Sequence, residues 1–229
     1  MARGDERSRE TILHRIEQAV GSAPPPTLRV GSPIVRNWDV EDRFIQEFSR
    51  AGGVVYRARS GEEARKALQE IVRGAGASRV ARWESPLLGL LQVDVALTAV
   101  GLDVVPLPSE NREVYGKELN AVEVGLTEVD YAVAETGTLV LFADPVRPRA
   151  VSLLPKVHVA ILPRGALVST FEELFSRLAS QESRPSAITF ITGPSRTADI
   201  EMTPVMGVHG PQAVYVILLD LSSLSLQER

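Results

Sequence analysis

The chain of 229 residues contains no cysteine. That excludes disulfides and thiolate ligands, so this chain alone holds neither a Cys-ligated iron–sulfur cluster nor a zinc finger. A reducing compartment, the cytoplasm, suits such a composition. Excess charge of one sign is also missing: the net charge is −4 and there is no long basic run. This argues against nucleic acid or an anionic membrane as the main partner. The opening MARGDERSRE lacks the apolar core of a signal peptide. Met202 to Leu219 carries no formal charge, but Pro204, Gly207, His209, Gly210, Pro211 and Gln212 interrupt it. It reads as a polar loop leading into a buried strand from Ala213 to Leu219, not as a membrane span. Internal repeats are absent. So are a Gly-x-Ser-x-Gly elbow, a Gly-x-Gly-x-x-Gly fingerprint after a strand and a Walker loop, which weakens hydrolase and dinucleotide-binding readings.

What is present suits one large α/β domain with an N-terminal extension. Hydrophobic residues make up 44% and charged residues 24%, enough to bury a sizeable core without staples. Residues 1–21 form a helical arm: Ile12, Leu13, Ile16, Ala19 and Val20 share one face between Asp5 and Val20, and Gly21 stops the helix. The apolar face needs a partner surface, on its own domain or on another chain, and a homodimer is compatible with that. Residues 22–35 form a proline-rich spacer, since Pro24, Pro25 and Pro26 fix φ and lack N–H donors. Residues 36–229 form the main domain.

Helices are expected from Asp39 to Ala51, burying Val40, Phe44, Ile45 and Phe48, and after Ser60, where Glu63 completes a capping box. A short helix is expected from Ser85 to Gln92. Another spans Thr170 to Ser180, with Phe171, Leu174, Phe175 and Leu178 inward. Strands are expected at Val54–Tyr56, Arg79–Trp83, Asp103–Val105, Ala121–Val124, Tyr131–Ala134, Gly137–Phe142, Val157–Leu162, Ala187–Ile191 and Ala213–Leu219. Most are near-continuous apolar runs, as in strands covered on both faces. This alternation means an open α/β sheet, whose ligands sit beyond the carboxyl ends of the strands.

Three polar loops carry the candidate site. In Ala134-Glu135-Thr136-Gly137-Thr138, Gly137 permits close approach of a ligand, while Thr136 and Thr138 can donate to an anion. Glu135 is a nucleophile or base if burial raises its pKa, and otherwise a turn residue facing water. In the loop from Thr192 to Glu201, Gly193, Ser195 and Thr197 offer donors and Arg196 a fixed positive charge for carboxylate or phosphate. Asp199 and Glu201 share a face of an extended segment. The plainer reading is a turn capped by Asp199 with an Arg–Glu surface pair. In Gly207-Val208-His209-Gly210-Pro211, His209 can bind substrate, exchange a proton or ligate a metal, or simply occupy a tight turn beside Gly210. His158 reads as a satisfied core histidine. No short spacing joins His158, His209, Asp199 and Glu201, so no metal is expected.

In combination these loops resemble a known family. Gly125-Leu126-Thr127, Asp130-Tyr131-Ala132 and Ala134-Glu135-Thr136-Gly137-Thr138-Leu139 resemble the signature of the LUD domain. Ser195-Arg196-Thr197-Ala198-Asp199-Ile200-Glu201 and Gly207-Val208-His209-Gly210-Pro211 resemble its C-terminal motifs, in the same order. The resemblance runs from about Phe44 to the C-terminus. It implies a three-layer open sheet like that of the sugar-phosphate isomerase and CoA-transferase group. It also implies an accessory role in oxidising L-lactate to pyruvate, beside partner subunits that carry the iron–sulfur clusters, with no cofactor on this chain. The alternative is an independent transferase or isomerase acting on an acyl-CoA or phosphorylated small molecule, with Glu135 as nucleophile or base.

Overall fold

Apolar runs and amphipathic helices alternate along the main domain, and a computed structural model shows how they assemble. It describes residues 3–21, 38–105, 119, 121–181, 185–197, 205–206 and 210–221. The chain divides into two units, Met1–Ser32 and Pro33–Arg229. In the first, α1 (Arg3–Val20) leaves Ile12, Leu13 and Ile16 exposed on its apolar face. The proline-rich spacer lies outside the described residues.

In the second unit the elements follow in the order α2 (Val40–Arg50), β1 (Val54–Ala58), α3 (Gly61–Gly74), β2 (Arg79–Arg82), α4 (Pro86–Leu90), α5 (Val93–Thr98) and β3 (Asp103–Val105). Then come β4 (Val124–Glu128), β5 (Tyr131–Val133), β6 (Thr138–Ala143), α6 (Ala150–Leu153), β7 (Val157–Pro163) and β8 (Leu167–Val168). The last are α7 (Phe171–Ala179), β9 (Ala187–Ile191), β10 (Arg196–Thr197), β11 (Val205–Met206) and β12 (Ala213–Leu219).

Six strands form a parallel sheet in the order β1-β12-β7-β4-β2-β3. Its middle strands β7 and β12 are buried over most of their length, as their near-continuous apolar runs require. From β2 the chain continues outward to β3, and from β4 it continues the opposite way to β7 and β12. The carboxyl ends of β2 and β4 therefore flank the topological switch point, where α/β sheets place their ligands. A second sheet, β8-β5-β6-β9, is built around the antiparallel β5–β6 hairpin. The bend expected at Glu135-Thr136-Gly137 is the turn of that hairpin.

Helix α2 connects the two sheets. Its inner face stacks Phe44 on Phe48 at 5.5 Å, both fully buried, while Val40 and Ile45 are half-buried. Ser60 caps α3 by accepting from the Glu63 N–H at 3.2 Å. The Glu63 carboxylate returns to the N–H of Arg59, one residue before the cap, at 2.8 Å. Thr170, Glu173 and Ser169 repeat this arrangement at α7.

Three expectations need correction. The strand placed at Ala121–Val124 begins only at Val124 and runs on to Glu128, with α6 lying against Gly125. The helix from Ser85 stops at Leu90, because Gln92 adopts left-handed backbone (φ 49°), and α5 follows unforeseen. Phe175 is half exposed instead of inward, since the helix spends its buried face on Leu174. Ser152 is buried in α6 with its hydroxyl donating to the Arg149 carbonyl at 2.9 Å. Among the described residues no helix is long and apolar enough to cross a membrane.

Candidate functional site

The described parts of the three loops meet, but not where the sheet rule places a ligand. Thr138 Oγ1 is buried and lies 2.7 Å from Thr136 Oγ1 and 2.8 Å from Thr192 Oγ1, so a file of three hydroxyls ties the first loop to the second. The Ser195 N–H donates to the Pro211 carbonyl at 2.9 Å, and Gly210 lies against the Ser195 side chain, tying the second loop to the third. Pro211 and Gln212 lead into the start of β12. The cluster therefore stands at the amino edge of the parallel sheet, opposite the carboxyl-edge crevice expected for it.

Two glycines explain how it is held there. Gly137 has φ +64°, and a Cβ on it would lie 2.3 Å from the backbone nitrogen of Phe48. Gly193 has φ +95°, and a Cβ would lie 2.8 Å from the carbonyl oxygen of Ala51. Both positions need left-handed backbone and no side chain. The close approach each permits is to the C-terminal turns of α2, whereas the sequence reading assigned Gly137 to a ligand. Glu135 is engaged too: its carboxylate accepts from the Phe171 N–H at 2.8 Å, at the start of α7. Such a bond satisfies a donor that the helix leaves open.

The backbone of Arg196 and Thr197 pairs with Met206 and Val205 in a short antiparallel ladder. Asp199, Glu201 and His209 lie outside the described residues. His158 is fully buried in β7, with Nε2 2.9 Å from Thr127 Oγ1 and no partner for Nδ1 among the described residues. Burial pushes its pKa down to about 3, so it is neutral at physiological pH. Among the described residues no group of three or more His, Asp or Glu side chains could hold a metal.

The carboxyl edge holds two constellations that the sequence reading missed. At the switch point, Glu128 ends β4 and is hydrogen-bonded to the side chain of Ser85, the N-cap of α4. Burial raises the Glu128 pKa, and the neighbouring Asp130 charge raises it further. Burial also raises Asp130, against the Phe142 N–H at 2.7 Å and Arg147 Nη1 at 2.9 Å, which favour its charged form. Arg147 also donates from Nε to Asp144 at 2.7 Å and lies over the Trp83 ring at 5.6 Å. An acid of raised pKa beside a hydroxyl, at this place in the fold, can exchange a proton with a ligand.

The second constellation lies at the other end of the same edge. Ala58, Leu219 and Pro163 are level across β1, β12 and β7. One residue beyond them come Arg59, Asp220 and Arg164. With Glu41, Arg57, Ala58 and Leu218 they line a cavity of about 290 Å³. Glu41, near the start of α2, accepts from Arg57 Nε and Arg164 Nε, each at 2.9 Å. A second cavity, of about 400 Å³, adjoins through Glu41 and Arg164 and is walled by Trp38, Leu167 and Ser169 among others. A signal was available: Arg57, Arg59, Arg164 and Asp220 all sit at or just past the ends of expected strands. Only strand order brings them together, and strand order is not a local property of sequence.

This is an open α/β domain with a parallel central sheet, and the architecture recurs in a solved protein. A crystal structure described as a DUF162 family protein from Deinococcus radiodurans has a TM-score of 0.54, covering 82% of this chain and 99% of that one at 22% identity. The family model described as the LUD domain matches residues 41–219, and the chain belongs to the LUD domain family. It is similar to a protein named lactate utilization protein C from Halalkalibacterium halodurans, 36% identical over 68% of this chain and 69% of that protein. Proteins of the same name from Geobacillus thermodenitrificans and Geobacillus kaustophilus are 29% and 30% identical over 96% of this chain and their full lengths.

Proposed function

We propose that this LUD-domain chain serves lactate utilisation in the cytoplasm, as an accessory subunit in the oxidation of L-lactate to pyruvate. It binds a small anionic ligand and meets partner subunits that carry the iron–sulfur centres. The supporting observation is the match to proteins named lactate utilization protein C along 96% of this chain and the whole of those from Geobacillus. Chemistry fits this division of labour: a chain without cysteine supplies no thiolate for a cluster. The test is genetic and biochemical together. Deleting the gene in a strain with no other lactate-oxidising route should abolish growth on lactate, and the tagged chain should co-purify with iron–sulfur proteins. Undiminished growth on lactate sinks the proposal.

A second reading, an enzyme in its own right, draws support from the switch point. Glu128 stands where α/β sheets bind ligands and its pKa is raised by burial, whereas the Glu135 carboxylate is committed to the start of α7. In this reading Glu128, rather than Glu135, transfers the proton. Glu128→Gln then abolishes turnover of the substrate and Glu135→Gln spares it; the reverse result returns the role to Glu135.

A further inference from the structure

We propose that β9 is a dimerisation edge: it pairs with β9 of a second copy of this chain, antiparallel and centred on Thr189, joining the two β8-β5-β6-β9 sheets into one. The inference stands on backbone direction, side-chain pattern and exposed area, and it does not depend on the lactate reading.

The strand β9 (Ala187–Ile191) ends its sheet, and among the described strands it pairs only with β6. Which of its residues face β6 follows from bonds on the far side of β6. The Phe142 N–H donates to Asp130 Oδ2 at 2.7 Å, and the Val140 carbonyl accepts from the Asp130 N–H at 3.1 Å. Both residues therefore direct their backbone groups toward β5. These groups alternate along an antiparallel strand, so those of Leu139, Leu141 and Ala143 point the other way, to Ile191, Thr189 and Ala187. The N–H and C=O groups of Ile188 and Phe190 are left facing outward from the sheet.

The same two residues expose their side chains. Ile188 is 38% and Phe190 44% exposed, opposite Phe142 and Val140 of β6. They lie on the face that α7 covers with Leu174, but α7 does not reach over them. The Phe190 ring lies 5.8 Å from that of Phe171, Phe171 stacks on Phe175 at 6.0 Å, and Phe175 is itself 50% exposed. The apolar layer of this sheet thus ends in an open row of Phe175, Phe171, Phe190 and Ile188. Edge strands commonly carry lysine, other charges or proline, which refuse further pairing. Ser186 to Thr192 carries none of them.

A second β9 fits this edge because the strand is complementary to itself. With Thr189 on a two-fold axis, Ile188 stands opposite Phe190 of the second copy, and Phe190 opposite its Ile188. These are the residues whose backbone groups point outward, so each outward N–H meets a carbonyl across the axis. Each pair also sets a β-branched side chain against an aromatic one, a favourable cross-strand combination. The axis is normal to the sheet, so the two open rows meet on one face, in a seam between two α7 helices. The three part-exposed side chains offer roughly 250 Å² of apolar surface on each copy. Even with the strand edges added, the seam is smaller than a standard interface of about 1,600 Å² in total, which makes the dimer reversible rather than obligate.

Sedimentation velocity of the full chain over a dilution series tests this, and a reversible monomer–dimer equilibrium is expected. Ile188→Lys, which sets a charge in the seam, should weaken dimerisation by about tenfold or more. Val95→Lys, at a position of α5 that is 65% exposed, should stay within about twofold of the parent. Thermal melts confirm that each variant is folded. Cross-linking gives an independent readout, because the chain has no thiol of its own. Thr189→Cys sets two sulfurs side by side in a non-hydrogen-bonded pair, whose Cα atoms lie about 4.5 Å apart, within the reach of a disulfide. With oxidised glutathione it should give disulfide-linked dimers, and Val95→Cys should give few. A chain that stays monomeric at every concentration, a dimer unaffected by Ile188→Lys, or equal cross-linking by Val95→Cys overturns the proposal. So does a dimer lost on Ile16→Lys but kept on Ile188→Lys, which places the contact on α1.

Discussion

The hydroxyl of Thr138 lies 2.8 Å from that of Thr192, joining two loops that are 54 residues apart in the chain. Thr138 also meets Thr136 at 2.7 Å, and one hydroxyl proton cannot serve both bonds. Thr138 therefore donates at most one of the two bonds and accepts the other, or accepts both through its two lone pairs.

Thr138→Val removes the middle of this file while keeping the β-branched shape. The expected cost is about 1–2 kcal/mol, because Thr138 is buried and two bonds are lost. Thr192→Ala should cost less, since Thr192 is exposed and its hydroxyl can turn to water. Paired urea denaturation curves test this, and a Thr138→Val chain as stable as the parent contradicts it.

Glu135→Ala deletes the acceptor at the first N–H of α7. Loss of a helix-terminal partner of this kind costs about 1 kcal/mol. The melting temperature should fall, and Glu135→Gln, whose amide oxygen can still accept, should fall less. A Glu135→Ala chain that melts with the parent shows that the bond carries no stability.

Stability should decline on the acid side because of His158. Its folded pKa of about 3 lies below the ordinary 6.5. Above pH 6.5 the imidazole is neutral in both states and nothing is lost. Below that, the unfolded chain takes up a proton that the fold refuses, and stability falls by about 1.4 kcal/mol per pH unit until the folded pKa is reached. Glu128 and Asp130 work the other way: their folded pKa values are raised, so their contribution is present at low pH and lost as pH rises through those values. Unfolding curves from pH 7 to pH 4 should show the His158 slope, and His158→Gln should flatten it. A parent curve that is flat over that range contradicts the assignment.

Much of the fold was legible because local patterns suffice to specify it. Ala213 to Leu219 is an unbroken apolar run and becomes β12 at those same limits. Ser60 and Thr170 each announce a helix through the acid three residues on. What was not legible depends on partners distant in sequence. Gly125 reads only as part of a motif until α6 is seen lying on it, and Gly137 reads as a ligand glycine until α2 is seen in that space. The polar loops were visible as a set, and two of the links among them are hydrogen bonds in the structure. Their placement at the amino edge followed from strand order, as did the convergence of Arg57, Arg59 and Arg164 at the opposite edge. Periodicity reports neither.

The place of β12 has a consequence for how the domain is made. It is inserted between β1 and β7, so among the described strands β1 has none to pair with until the chain has run some 160 residues further. A ribosome emitting this protein therefore releases β1 as an unpaired edge, and the arginine cavity does not exist until β12 arrives with Asp220. Pairings this remote close slowly and leave apolar edges open meanwhile. Completion of the parallel sheet thus waits on the emergence of β12, and a stop just before Ala213 would leave β1 without a neighbour among the described strands.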